Sequence, residues 1–198
     1  MIIEFAVAAT LTLPNAGPTV IPIEFNEPIR EVITYPETGV LQQVSGLVLP
    51  EGARSAFEDE FIQGQIYFAA FAITKDFGYG YVTGANSIQA AREIAIEECL
   101  KQGPACHIYA EIYPVGYEPL SDGQVSLAPE AGNHFNNPAA EWGRFRAMAI
   151  SEDGAYSIVW NYESPSEAAA AALSDCNGYS ISDLPNLREM PCILIPFK

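Results

Sequence analysis

Basic residues are scarce in this sequence. Lysine and arginine together number 9, against 25 aspartates and glutamates in 198 residues, so the formal net charge at pH 7 is −16. Nucleic acid is disfavoured as a partner, because phosphate binding needs clustered Lys and Arg, and anionic membrane surfaces are disfavoured likewise. A basic protein, a cation or a saline habitat suits this surface better, although an acidic surface also serves solubility alone.

Histidine is also scarce, with only His107 and His134. With two histidines, most zinc sites and most mechanisms with a histidine general base are disfavoured. The sequence lacks the Gly-x-Ser-x-Gly elbow, the phosphate-binding P-loop and the Rossmann glycine pattern. We therefore expect no cofactor and no metal site. A hydrolase that uses a pair of carboxylates or His134 stays open as an alternative, although no two acids stand out.

No run of about 18 apolar residues is present, so we expect no membrane insertion. The opening residues, MIIEFAVAATLTL, are apolar but lack a basic region and contain Glu4, which makes them a poor signal peptide. They predict a long strand instead, which could pair with another chain in a structural or assembly role. A mature chain whose signal peptide had been replaced by Met1 would look the same.

Residues 1–64 are predicted to form a β-rich N-terminal segment with a short helix. The stretches TVIPIEF, REVITY and VLQQVSGLVLP are separated by Pro and Gly, which is typical of short antiparallel strands. The helix is predicted within ARSAFEDEFIQG, where Phe57 and Phe61 lie one turn apart and Gly64 could end it. The acids at 58–60 would splay around this helix, so we interpret them as a solvated face rather than metal ligands.

Two later segments match without a gap at an offset of 77 residues, which places Cys99 on Cys176. One reads FAAFAITKDFGYGYVTGANSIQAAREIAIEEC and the other FRAMAISEDGAYSIVWNYESPSEAAAAALSDC. A gapless match of this length predicts an internal duplication, with repeats at 65–113 and 142–198 and an inter-repeat loop at 114–141.

Each repeat is predicted to be a ββαβ unit. Two strands join at a tight turn around Asp76 or Asp153, a helix follows a Ser87 or Ser164 cap, and a last strand begins near the second cysteine. Pro165 and Glu167 strengthen the second cap. The predicted fold class is therefore α+β, with the N-terminal β-rich segment followed by two tandem ββαβ repeats whose helices pack on antiparallel sheet.

The hairpin FGYGY at 77–81 and the helix end AAALSDC, each followed by a cysteine before an apolar strand, resemble a known family. This family is a small domain of unknown function found in secreted bacterial proteins. The likeness covers about 65–113 and 142–198; the second copy lacks the hairpin glycines, and the first has Ile96 where leucine is usual. The resemblance implies export to the periplasm or the cell exterior and a disulfide, and it implies no activity.

The cysteines allow three pairings, and they are Cys99, Cys106, Cys176 and Cys192. The duplication favours Cys99 with Cys106 and Cys176 with Cys192, each tying a helix end to the next strand. Buried free thiols in a cytosolic protein are the alternative. Metal ligation is disfavoured, because neither repeat has the Cys-x-x-Cys spacing or a paired histidine. Cys106 and His107 are neighbours on a predicted strand, so they point to opposite faces and cannot form a catalytic dyad.

The candidate binding residues are aromatic residues of the hairpins and polar residues of the inter-repeat loop. They are Tyr79, Tyr81, Trp160, Tyr162, Asn133 and His134. Alternate strand residues share a face, so an exposed pair of tyrosines would suit protein recognition, while half-buried packing is the alternative. We expect a non-enzymatic exported bacterial protein that binds a protein partner, as an inhibitor, immunity or envelope-interaction module, and the acidic surface favours a basic partner.

Intact mass spectrometry tests the disulfide prediction. Full reduction of two bridges should add about four hydrogens to the mass of the denatured chain. An unchanged mass on reduction would show that the thiols are free.

Overall fold

The computed structural model describes residues 30–64, 67–76, 78–136, 143–181, 184 and 186–195. The strands predicted within residues 1–29 lie outside this part of the chain. The described strands are β1 (Glu31–Ile33), β2 (Gly39–Gln43), β3 (Phe68–Ile73), β4 (Tyr79–Ala85), β5 (His107–Pro114), β6 (Gln124–Ser126), β7 (Ala147–Ile150), β8 (Tyr156–Val159) and β9 (Ile193–Ile195). The helices are α1 (Glu51–Ser55), α2 (Ile88–Leu100), α3 (Pro129–Phe135) and α4 (Pro165–Tyr179), and a π-helical stretch, Ala56–Phe61, continues α1.

Two antiparallel sheets carry most of the described strands, and together with the helices they confirm the predicted α+β class. The larger sheet has the order β2-β5-β3-β4, and the smaller has the order β8-β7-β9. A separate ladder joins β1 to β6 in parallel, although antiparallel pairing is predicted for the N-terminal segment. The first ββαβ unit lies between these two strands in the chain, so they are joined by a crossover and not by a hairpin.

Strand β3 is the centre of the larger sheet, and all six of its residues are buried. On one face, Phe71 packs edge-on against Phe57 and Phe61 of the π-helical stretch. On the other face, Ala70 and Ala72 of β3 meet the alanines of α2. The helix lies so close that a Cβ at Gly80 would come within 2.2 Å of the Cys99 nitrogen. The hairpin glycine and the helix alanines therefore serve the same close packing.

The smaller sheet is covered on both faces. The alanines of β7 pack on α4 through Ala168 and Ala172. Met148 and Ile150 point to the opposite face, where they meet Leu127 and residues of α3 and of the β1-β6 ladder. Strand β7 is thus the central, buried strand of this unit, as β3 is of the other.

The two ββαβ units share one arrangement. In each, the first strand lies between the second and the third, and the helix packs on one face. The predicted caps are confirmed, since Ser87 Oγ accepts from the Ala90 N–H at 3.0 Å and Ser164 Oγ accepts from the Glu167 N–H at 3.2 Å. The duplication itself stays a prediction.

The two predicted disulfides are present. Cys99 is bonded to Cys106 and Cys176 to Cys192, each with a Cα–Cα distance of 6.0 Å. Both tie the end of a helix to the residue just before the next strand. Two such bridges indicate an oxidising, extracytoplasmic environment. Within the described ranges, no helix is long and apolar enough to cross a membrane.

The inter-repeat segment differs from the predicted loop, because it contains β6 and α3. Pro129 stands at the first position of α3, where its missing N–H needs no partner. Leu127 and Ala131 are buried against the smaller sheet. Spread among Pro, Gly and Asn, these few apolar residues do not form a visible helical pattern, and the helix depends on the tertiary contacts of its buried face.

An ion pair between the partly exposed Arg92 and the buried Glu111 joins α2 to the larger sheet. Arg92 holds both carboxylate oxygens of Glu111, at 2.6 and 3.0 Å, and the Tyr113 hydroxyl donates to the same carboxylate at 2.7 Å. Burial alone would raise the pKa of Glu111, but the hydrogen bonds from Arg92 and Tyr113 outweigh it and hold the pKa below its usual value.

The variant Glu111→Gln should lower the free energy of unfolding near neutral pH by roughly 1–3 kcal/mol. Because the pKa of Glu111 is lower in the folded state than in the unfolded state, the stabilisation is present above the ordinary pKa range of Glu. It is lost as the pH falls through the pKa of Glu111 in the folded state. Denaturant unfolding as a function of pH should therefore show wild type and variant converging in acid. A difference that stays constant with pH would contradict this assignment.

Candidate functional site

A groove of about 580 Å³ runs beside β8, the outer strand of the smaller sheet. Strand β8 pairs only with β7 in the described part of the chain. The groove is lined by its residues, by α3 and by the end of α4, and the lining residues are His134, Gly154, Ala155, Tyr156, Ser157, Ile158, Trp160, Asp175 and Tyr179. It is an open cleft along a strand edge and not an enclosed cavity.

The register of the β7-β8 hairpin decides which backbone groups point into the groove. The Ser151 N–H donates to the Ala155 carbonyl at 2.8 Å, and Ala149 lies opposite Ser157. In an antiparallel ladder, hydrogen-bonded and non-bonded pairs alternate. The backbone N–H and C=O of Tyr156 and Ile158 therefore point away from β7, toward the open edge.

Helix α3 forms one wall of the groove. The Tyr156 hydroxyl donates to Glu130 at 3.2 Å, and the rings of Tyr156 and His134 lie 6.3 Å apart. Burial and the Glu130 carboxylate raise the pKa of Tyr156 above its usual value. This contact holds the first turn of α3 against the beginning of the edge strand.

The other wall is the end of α4, which Asp153 holds against the β7-β8 turn. Its carboxylate is buried and accepts from Ser180 Oγ at 2.7 Å, from the Ile181 N–H at 2.6 Å and from the Ala155 N–H at 3.0 Å. One side chain thus fixes the turn before β8 to the residues that follow α4. Tyr179, which is 72% exposed, is brought to the groove in this way.

Asn86 joins the two units and sets the position of the groove. Its side chain donates to the Ser151 carbonyl at 2.7 Å and accepts from the Ala128 N–H at 2.7 Å. Its backbone N–H donates to the Glu152 carbonyl at 2.9 Å, and its carbonyl accepts from Ser126 Oγ. Ala128 precedes α3 and Ser151 precedes the turn into β8, so one residue positions both elements.

Acidic side chains lie at the groove. Among the described residues that line it, Asp175 is an acid and none is lysine or arginine, and Glu130 is exposed beside it. Trp160 is 49% exposed. Aromatic faces next to carboxylates favour a cationic side chain.

Comparisons with protein-family models, curated proteins and solved structures gave no match. Function is therefore argued from this geometry.

Two of the predicted binding residues, Trp160 and His134, meet at the groove. Asn133 is exposed on α3 but does not line it. Tyr162 packs against the core of the second unit. Among the described residues, His134 forms no ion pair with a carboxylate, and no cluster of three or more His, Cys, Asp or Glu could hold a metal ion.

Tyr79 and Tyr81 share a face of β4, as the alternation predicts, but this face is packed. Both rings stack on Phe71, with centroids 5.7 Å away. Tyr81 donates to Glu60, and this bond together with burial raises its pKa to about 12. The two tyrosines are half-buried parts of the aromatic cluster, which is the packing alternative; a binding role for them stays a prediction.

The acids at 58–60 diverge, as expected for a helix surface. Glu58 binds Arg54 and Asp59 accepts from Ser55, while Glu60 accepts from Tyr81. They therefore do not converge on one ion.

Sequence reasoning missed four residues that build the groove: Asn86, Tyr156, Asp175 and Tyr179. At the 77-residue offset, Asn86 corresponds to Glu163 and Tyr156 to Tyr79. Comparison of the repeats therefore gave no signal for Asn86. The repeats did not single out Tyr156 either, because a hairpin tyrosine stands at the same position in both copies and the sequence does not show which of the two lines a groove.

Asn86→Ala should lower the free energy of unfolding by about 1–3 kcal/mol for each buried polar group left unpaired, here the Ala128 N–H and the Ser151 carbonyl. Asn133→Ala is the matched control, because Asn133 is exposed and its loss should leave stability unchanged. Chemical denaturation measures both. Equal stability of the two variants would show that the contact between the two units does not depend on Asn86.

Proposed function

We propose that the protein is a non-enzymatic binding module that takes an extended segment of a partner protein along the edge of β8. The observation that carries the proposal is the strand edge itself, which lies open in a groove between α3 and α4. Unpaired N–H and C=O groups on a strand edge can pair with an added strand, the N–H groups as donors and the C=O groups as acceptors. This recognition mode draws its affinity from backbone hydrogen bonds and its specificity from the pockets beside them.

The backbone offers the right set of groups for strand addition. Tyr156 and Ile158 present two donors and two acceptors at alternate positions, which is the spacing of an extended strand. Ser157 and Val159 are buried on the α4 side. A guest strand would therefore extend the smaller sheet without disturbing its core.

The surroundings favour a basic guest. The chain carries a net charge of −16, and Asp175, Trp160 and Tyr179 line one part of the groove. An aromatic face attracts an ammonium or guanidinium group, and an acidic field speeds the approach of a cationic partner. We assign the partner segment at least one lysine or arginine that lies on these rings.

Export is part of the proposal, and the two disulfides support it, since bridges of this kind persist outside the cytoplasm. The resemblance to a secreted bacterial domain points the same way. The His134 version of the hydrolase alternative has no comparable support, because His134 has no ion-paired carboxylate among the described residues. For the carboxylate version, no feature singles out a pair of acids.

Selection from a library of random eight-residue peptides tests the proposal. Retained peptides should be enriched in lysine, arginine and β-branched residues. Trp160→Ala should weaken binding of a selected peptide about tenfold or more, because it removes an aromatic anchor. Asp175→Asn should weaken it by roughly twofold to fivefold, as expected for an exposed ion pair. Isothermal titration calorimetry measures the affinities.

The controls separate groove binding from general charge attraction. Leu100→Ala removes an exposed apolar side chain elsewhere (40% exposed), and Asp122→Asn removes an exposed acid in another loop; both should bind as wild type. A selected peptide whose backbone nitrogens are methylated at the alternate positions that face β8 should not bind, since these nitrogens can no longer donate to β8. Full binding by the methylated peptide, or by Trp160→Ala, would overturn the proposal.

A further inference from the structure

Strand β2 is the outer strand of the larger sheet, opposite to β4, and it is unusually exposed and apolar. It pairs only with β5 in the described part of the chain. Val40 and Leu41 are 48% and 38% exposed, and just beyond the strand Val44 and Val48 are 49% and 87% exposed. Among the described residues, these are four of the large apolar side chains that are exposed, and they lie close together in the chain, within residues 40–48. An edge of this composition is a site for pairing with another strand.

The register shows which β2 groups are open. The Val44 N–H donates to the Tyr109 carbonyl at 3.0 Å, and the Val115 N–H donates to the Thr38 carbonyl at 3.0 Å. Hydrogen-bonded positions alternate along an antiparallel ladder, so the even-numbered residues of β2 face β5. The backbone N–H and C=O groups of three residues therefore point outward, and they are Gly39, Leu41 and Gln43.

The charge of this edge differs from that of the chain as a whole. From Thr38 to Pro50 the sequence contains no charged residue, in a chain whose net charge is −16. Edge strands of monomeric proteins usually carry lysine, proline or inward-pointing charges that prevent pairing. Strand β2, GVLQQ, has none of these.

We propose that two copies of this chain pair through β2 in antiparallel orientation around a twofold axis at Leu41. Leu41 then faces its own copy, and Gly39 of each chain faces Gln43 of the other. All three outward-facing residues exchange N–H···O bonds across the axis, because an antiparallel pair centred on an open position places open positions opposite each other. The interface joins the two larger sheets into one, and it is isologous, as in most homodimers.

A second copy fits this edge better than a basic partner does. The edge offers no carboxylate to attract lysine or arginine, so the charge argument that applies to the β8 groove does not apply here. Two chains of the same strong negative charge repel one another, and contact costs least where neither carries a charge. The uncharged edge around β2 meets this condition, and a twofold makes it self-complementary.

Sedimentation velocity between about 1 and 300 μM tests the dimer, because this range detects dissociation constants in the micromolar region. Wild type should approach twice the 21.4 kDa of one chain, and added salt should strengthen the dimer by screening the repulsion between two acidic chains. Leu41→Lys should shift the midpoint to at least tenfold higher concentration, because it places two like charges across the axis. Leu100→Lys, with the same charge change at a side chain of similar exposure, should dimerise as wild type.

Amide hydrogen exchange identifies the surface. In the dimer, the amides of Gly39, Leu41 and Gln43 should exchange more slowly as concentration rises. A monomer across the whole range overturns the proposal, and so does protection of these amides that is independent of concentration, which would mean that the chain covers its own edge. A dimer that Leu41→Lys leaves intact overturns it as well. None of these outcomes bears on β8, whose binding to basic peptides should weaken with salt.

Discussion

Asn86 joins the two units, because its side-chain amide and carbonyl and its backbone N–H and C=O each have a hydrogen-bond partner. Through them it holds the segment before α3, the turn before β8 and the end of β6. In a buried site such hydrogen bonds are strong, and a polar group left without a partner lowers the stability of the fold. Gly154, with φ of +101°, brings the second hairpin against Gly84 at the same joint, where a Cβ would come within 2.6 Å of the Gly84 carbonyl. These close contacts help to fix the relative position of the two units, together with the packing of Met190 against the core of the first unit.

The two strand edges discussed above, β8 and β2, differ in their surroundings. The β8 edge lies between two helices, with aromatic rings and acids around it. The β2 edge lies at the far side of the larger sheet, apolar and without charge. Backbone chemistry is the same at both, since each presents unpaired N–H and C=O groups. What differs is the charge and the side chains around them, and in our proposals these decide which strand each edge accepts.

Local chemistry made much of the fold predictable. The serine caps, the hairpins and the helix with Phe57 and Phe61 depend on residues close in sequence, and the disulfide pairing followed from comparing the two repeats. The parallel β1-β6 ladder and helix α3 were missed because they depend on tertiary contacts. The groove was only half predicted: Trp160 and His134 were named, but Asn86 and Asp153 position it through bonds that no local pattern reveals. Whether Tyr79 and Tyr81 pack on the sheet stayed open, because sequence alone does not show that Phe71 lies under both rings.

Backbone amide exchange in a complex with a selected basic peptide tests the central claim most directly. The claim is that the guest pairs with the outer edge of β8. The amides of Tyr156 and Ile158 should then exchange much more slowly in the complex than in the free protein, while that of Ser157, which faces β7, should change little. Unchanged exchange at Tyr156 and Ile158 in a saturated complex would contradict the account.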